Sequence, residues 1–255
     1  MALDALFDDA KKRVQAAPGD IKARSALWQI FAARGEFERA RTQLEALLAI
    51  DSSWTMEVQA CHLLLRAEEQ RQQVFRGLQA PTCLGEPPAW FGPLAAGLQT
   101  LGDASKPAQW PAAAELLSRA QQDSPTRTGT LNGQPFEWLC DGDARLGPCL
   151  EVMVQGKYLW LPWSLVHRIE SRPPTEIRDR LWLHALLELG EEGSIEVFLP
   201  ARYPDPQDDA QMLSERTDWQ ALAGESYLGR GQKTLMTDLA EVGLLDVREL
   251  TFNAA

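Results

Sequence analysis

Apolar residues recur every three or four positions through roughly the first half of the chain and every second position afterwards, and this change of period sets the expected architecture. Leu3, Leu6, Phe7, Ala10 and Val14 mark one helical face, ended by Pro18-Gly19-Asp20. Ala23, Leu27, Ile30 and Phe31 mark a second helix that stops at Arg34-Gly35, where Gly can close a helix in the left-handed conformation. Phe37, Ala40, Leu44, Leu47 and Leu48 mark a third, stopping at Asp51-Ser52-Ser53. Residues 54–78 carry Val58, Cys61, Leu64, Leu65, Val74 and Phe75 on a fourth, interrupted by a polar stretch from Glu68 to Gln73. A fifth segment follows Pro87-Pro88, with Trp90, Phe91, Leu94, Leu98 and Leu101. A sixth begins at Trp110-Pro111, where Pro suits the first helical position, and ends before Asp123-Ser124-Pro125.

The second and third helices have the form of a tetratricopeptide (TPR) repeat, with Phe31, Gly35, Phe37, Ala40, Leu44 and Leu47 at its positions. The small Ala lets the two helices approach and the Gly closes the turn. Pro18 and Ser52 lie 34 residues apart, the TPR period, so residues 2–17 read as the second helix of a truncated preceding repeat. A plain helical hairpin is the alternative.

Beyond Pro125 a Thr- and Gly-rich stretch gives way to short strands. Leu150, Val152 and Val154 alternate with Cys149, Glu151 and Met153, turn at Gln155-Gly156, and return through residues 158–161. Leu165 to Glu170 reads as a third strand. Leu181 to Leu189, the turn 190–193, and Ile195, Val197 and Leu199 form a second hairpin. Residues 203–225 read as a long polar loop with a short helix. In Leu244–Phe252 the apolar parity slips between Val247 and Leu250, which a bulge or a half-exposed edge would explain. The expected fold is multidomain α+β: TPR-like all-α hairpins over residues 1–125, then a mostly antiparallel, small barrel-like β domain over 126–255.

The 255 residues are 45 % apolar and 24 % charged, enough to build a packed core. Net charge is −11, which disfavours phosphate backbones and anionic membranes. Residues 1–123 carry 13 Lys+Arg against 15 Asp+Glu (−2), and residues 124–255 carry 12 against 21 (−9). The acidic second half suits a basic partner, although solubility explains a negative surface equally. Without a leader peptide or a bilayer-length apolar run, the expected location is the cytoplasm. Cys61, Cys83, Cys140 and Cys149 are scattered and read as buried, reduced thiols.

Little carries chemistry. His62, His167 and His184 lack metal-ligand spacing, and neither a nucleophile elbow nor a phosphate-binding loop is present. Gly229-Arg-Gly231-Gln-Lys233 reads as a turn. Asp141, Asp143 and Glu151 are the one acidic cluster. As a calcium loop it fails, because position twelve from Asp141 is Val152. They are the carboxylates an enzyme would use, in a deep pocket with raised pKa values. No catalytic residue, metal or cofactor is assigned.

Asp141-Gly-Asp143-Ala-Arg145-Leu-Gly147-Pro148-Cys-Leu150-Glu151, Pro174-Thr-Glu-Ile-Arg178-Asp179-Arg-Leu-Trp182, Pro200-Ala-Arg202-Tyr203-Pro204 and Gly229-Arg-Gly231-Gln232, with the Arg34-Gly35-Glu-Phe37 turn, resemble the ImpE/TagJ/SciE-type accessory proteins of bacterial type VI secretion systems over residues 2–252. No single motif is specific; their order and spacing are. The resemblance implies a non-catalytic adaptor that binds a helix of the small contractile-sheath subunit and helps couple the sheath to its AAA+ unfoldase. Helical spacing in this chain, not the family, selects Trp28, Phe31, Trp54 and His62 as the partner-binding residues of a TPR-like groove. A general TPR co-chaperone is the alternative, with Lys22, Arg24, Arg34, Arg39 and Arg41 available as a carboxylate clamp.

Overall fold

The computed structural model describes residues 3–102, 107–190 and 193–253. Six helices come first: α1 (Leu3–Ala16), α2 (Ile21–Ala33), α3 (Phe37–Ile50), α4 (Thr55–Phe75), α5 (Phe91–Leu101) and α6 (Trp110–Asp123). Local chemistry sets their ends. Asp20 Oδ1 accepts from Ala23 N–H at 2.9 Å and caps α2 at its start. At the other end Gly35 has φ +74°, its N–H donates to Ala32 O, and Glu36 N–H donates to Phe31 O. These are the two bonds of a Schellman motif. Ala40 is fully buried where α3 meets α2.

The second half holds thirteen strands and two short helices among the described residues. The principal sheet is antiparallel, in the order β2 (Gln134–Phe136), β1 (Gly129–Leu131), β13 (Glu249–Phe252), β6 (Arg168–Ser171), β7 (Trp182–Glu188), β8 (Ser194–Pro200), β4 (Cys149–Val154) and β5 (Lys157–Pro162). A three-stranded sheet joins β12 (Glu241–Gly243), β11 (Thr234–Thr237) and β3 (Leu139–Asp141), and β9 (Thr217–Ala223) forms a two-stranded sheet with β10 (Ser226–Gly231).

The principal sheet is not closed, which corrects the barrel-like expectation. β5 and β2 are its two ends. The outer edge of β5 is already taken: Trp160 N–H donates to Thr82 O and Leu84 N–H to Trp160 O, so the α4–α5 linker occupies the place a closing strand would need. β2 is a three-residue strand containing Pro135, poorly suited to pair further.

Parity along β4 divides the interior. Leu150 and Val152 enter a core with Leu183, Leu187, Val197, Leu199 and Leu250. Cys149 and Met153 enter a second core, with Trp160 and Trp182, that continues through all six helices. The helices therefore pack on the face of the sheet opposite the Leu150–Val152 core.

Several expected elements differ. Leu165 belongs to a single 3₁₀ turn, Trp163–Leu165, and the strand starts at Arg168. The slip after Val247 follows another such turn, Leu244–Asp246, rather than a bulge. Within 203–225 the short helix exists as α8 (Asp209–Met212), but Thr217–Ala223 is a strand, and Gly229–Gly231 lies in β10 rather than a turn. Leu181 closes the short helix α7 (Ile177–Leu181) ahead of β7. In the turn expected at 190–193, residues 191–192 lie outside those described. All four cysteines are free; Cys61 and Cys149 are buried, Cys83 and Cys140 half-buried.

Candidate functional site

Trp28 on α2 and Trp54, in the 3₁₀ turn before α4, line one cleft of about 310 Å³ with Ser25, Ser53, Glu57, Glu176 and Arg178. Trp28 is only 2 % exposed, so it presents an edge and anchors the wall from within. Trp54 is half-buried and packs against the helical core. Phe31 and His62 do not line this cleft. Phe31 is buried, with the Phe7 ring edge-on at 5.6 Å and the Arg39 guanidinium 4.1 Å above its ring. His62 is half-buried on α4, and its Nε2 lies 2.9 Å from Glu45 Oε1 on α3.

The far wall of the cleft is α7, which sequence periodicity missed because one and a half turns carry no period. Asp179 Oδ2 builds its first turn, accepting from Thr175 N–H at 2.9 Å, Thr175 Oγ1 at 2.9 Å and Glu176 N–H at 3.1 Å. Buried Gln29 docks α7 onto α2: its Nε2 donates to Glu176 Oε2 at 3.0 Å, and its Oε1 accepts from Arg178 N–H at 2.9 Å. Arg178 pairs with Glu57 on α4 through Nη1. Its Nε is buried 3.5 Å from Asp179 Oδ1, which holds the guanidinium against the first turn of α7.

Asp141, Asp143 and Glu151 are buried at the joint between the halves, and each is held by a cation or a hydroxyl. Glu151 accepts from Arg71 Nε at 2.6 Å and Tyr158 OH at 2.5 Å, and pairs with Lys233. Burial opposes its ionisation, but Arg71 and Lys233 outweigh burial and hold the carboxyl at about 2. Glu68 accepts from Trp182 Nε1 at 2.9 Å and from Arg71. Asp143 accepts from Arg145 Nε at 2.9 Å and from Gly229 N–H at 2.7 Å. Asp141 accepts from Tyr203 OH at 2.7 Å, and Lys233 Nζ is 3.8 Å away. Burial pushes the Asp141 carboxyl up to about 7. Arg202 donates to Ala33 O at 2.7 Å and Met212 O at 2.8 Å, tying the end of α2 to the β half, and burial holds its guanidinium down to about 10. The chemistry of this cluster is that of a joint: each acid is spent on a cation, a hydroxyl or a backbone N–H, and each has at least one partner from another segment.

The five arginines and lysines of the carboxylate-clamp alternative are dispersed. Arg34 pairs with Asp4, Arg39 with Glu36, and Arg41 with Glu38 at 2.6 Å and Glu69 at 2.7 Å. Arg24 reaches Gln43 at 3.1 Å, and Lys22 is exposed. None of the five lines the Trp28–Trp54 cleft.

The fold, a helical half packed on an open antiparallel sheet, has a solved counterpart. The crystal structure of a Vibrio parahaemolyticus protein superposes with a TM-score of 0.89, covering 99 % of this chain and 94 % of that one at 23 % identity. The model of the ImpE protein family matches residues 133–251, the span that contains Asp141 to Glu151, Arg178 to Trp182, Arg202 and Gly229. The chain is also 37 % identical to the type VI secretion system accessory component TagJ of Pseudomonas aeruginosa, over 96 % of this chain and 87 % of that protein. The chain belongs to the ImpE family.

Proposed function

We propose that this protein is a cytoplasmic, non-catalytic accessory component of a type VI secretion system, which grips one amphipathic helix of the small sheath subunit and helps couple the sheath to its AAA+ unfoldase. Its relationship to TagJ supports the accessory role. No helix among the described residues is long and apolar enough to cross a membrane, in keeping with action beside a cytoplasmic sheath. Residues 1–125 are read as the TPR-like unit and 126–255 as the β unit that braces it.

The observation that carries the helix-binding reading is the cleft in which half-buried Trp54 stands beside the half-buried Arg178 guanidinium. An amphipathic helix would seat an apolar anchor on the indole while an acidic side chain pairs with the Arg178 guanidinium at the cleft wall. Of the four partner residues chosen from helical spacing, Trp28 and Trp54 are kept in this proposal, Phe31 supports the α2 wall, and His62 stands on the neighbouring face of α4.

Calorimetric titration with the N-terminal helical peptide of the cognate sheath small subunit tests it. Micromolar binding, weakened about tenfold or more by Trp54→Ala with the melting temperature unchanged, is the expected result. Absence of binding by the wild-type protein would sink the sheath-helix reading. Binding indifferent to Trp54→Ala and to Arg178→Ala would move the site elsewhere.

A further inference from the structure

An open groove of about 880 Å³ runs between α6 and the tip of the β9–β10 hairpin, with the turn after β3 as its floor. It lies away from the Trp28–Trp54 cleft and shares no lining residue with it. Two large aromatic side chains stand on it half out of the protein, Trp138 at 37 % and Tyr227 at 46 % exposure. Its lining includes Ala114 on α6 and Gly142 and Ala144 in the floor, which are short enough to let another backbone come close. Every charged residue lining it is acidic: Glu115 on α6, Asp141 in the floor and Glu225 at the hairpin tip. No Lys, Arg or His among the described residues lines it, and Glu115 and Glu225 have no cationic partner among those residues.

We infer that this groove docks a short segment of a second protein that carries Lys or Arg beside an apolar anchor. Exposed indole and phenol rings are large, stiff contact surfaces that lose little entropy on binding, and their faces attract cations. Unopposed carboxylates on both walls select for positive charge and against a negative segment, in a half-chain that carries −9 overall. The volume is within the range of sites that enclose a ligand of a few side chains. The inference is independent of the sheath-helix proposal, since the two sites use different residues.

The test uses the full chain and two labelled probes, a short helical peptide of Lys and Leu and its counterpart with Glu in place of Lys, followed by fluorescence polarisation. The Lys/Leu peptide is expected to bind and the Glu/Leu peptide not. Glu115→Lys with Glu225→Lys should weaken the first by about tenfold or more, and Trp138→Ala should weaken it separately. Glu196→Lys with Glu241→Lys changes net charge equally at exposed positions off the groove and should leave affinity within about twofold. Circular dichroism and melting temperature check that each variant is folded. Equal losses from the two charge-reversed pairs would reduce the binding to bulk electrostatics and overturn the proposal. So would concentration-dependent self-association of the wild type that the groove substitutions abolish, because the occupant would then be a second copy of this chain.

Discussion

Glu151 takes a guanidinium and an ammonium into the interior with it, and all three side chains are almost fully shielded from water. Removing only the acid takes from two buried cations their nearest counter-charge, leaving Arg71 to Glu68 and Lys233 to the more distant Asp141. Glu151→Gln is therefore expected to destabilise the protein by about 3–5 kcal/mol, read as a lowered urea midpoint. Replacing the whole set with apolar residues would not cost the same, since the desolvation of three ions disappears with them. Asp141 behaves in the opposite way with pH. Its folded carboxyl, at about 7 because of burial, keeps a proton that the unfolded chain releases near 4. Between about pH 4 and 7 the unfolded state binds fewer protons, so the stability due to Asp141 is full below that window and is lost as pH rises through it. Glu151, held at about 2, contributes stability above its ordinary range near 4.5 that is lost as pH falls toward 2. Urea melts across this range should show Asp141→Asn abolishing the decline from about pH 4 to 7 while leaving the acid limb in place. An unchanged slope in the variant would show that Asp141 is not the group responsible.

At the scale of elements, what was legible followed from repetition and from turn chemistry. α1 to α6 each carry several turns of one apolar face, and the β4–β5 hairpin announces itself through Gln155-Gly156, whose φ angles of +50° and +74° suit a two-residue turn. The close of α2 was equally readable from Gly35. An alanine Cβ there would meet nothing within 4 Å, so the cost of Gly35→Ala is conformational rather than steric. About 1–2 kcal/mol is expected, measured as a fall in melting temperature without change in the helical circular dichroism spectrum. Gly229 is a different case: a Cβ would lie 2.3 Å from the Tyr203 ring, so its glycine serves close packing that no local pattern discloses. α7 and β9 escaped the periodic reading for related reasons. α7 has five residues and is defined by Asp179 and Gln29, and β9 alternates only weakly, pairing with β10 alone among the described strands.

At the scale of the whole molecule, the two halves share one apolar core and one polar joint. The core runs from Leu3 through Trp160 and Trp182 to Leu222. The joint consumes motifs that looked unremarkable one at a time: the Asp-Gly-Asp-Ala-Arg turn meets Gly229, Arg202 meets the end of α2, Tyr203 meets Asp141, and Trp182 meets Glu68. Residues 1–125 expressed alone should therefore keep helical circular dichroism yet melt broadly and bind a hydrophobic dye, since Arg71 would lose Glu151 and the helices would lose the sheet face they cover. A sharp melt near that of the full chain would contradict this dependence. The polar stretch from Glu68 to Gln73, which broke the apolar pattern of α4, is explained here as well: Glu68 and Arg71 are buried and answered from β4 and β7.

The sequence by itself determined the division into a helical and a strand-rich half, the six long helices, the two main hairpins and, through the order of its motifs, the family. Each of these depends on neighbours within a few residues or on a repeated period. Tertiary structure decided which polar residues lie inside, that the sheet stays open because the α4–α5 linker takes its edge, and that Trp28 and Trp54 meet α7 while Phe31 and His62 face elsewhere. Those outcomes rest on contacts between residues far apart in the chain, such as Arg71 with Glu151, 80 positions apart, and Gln29 with Arg178, 149 apart. An ion pair of that span leaves no local signature, because each partner alone reads as an ordinary charge on a solvated face.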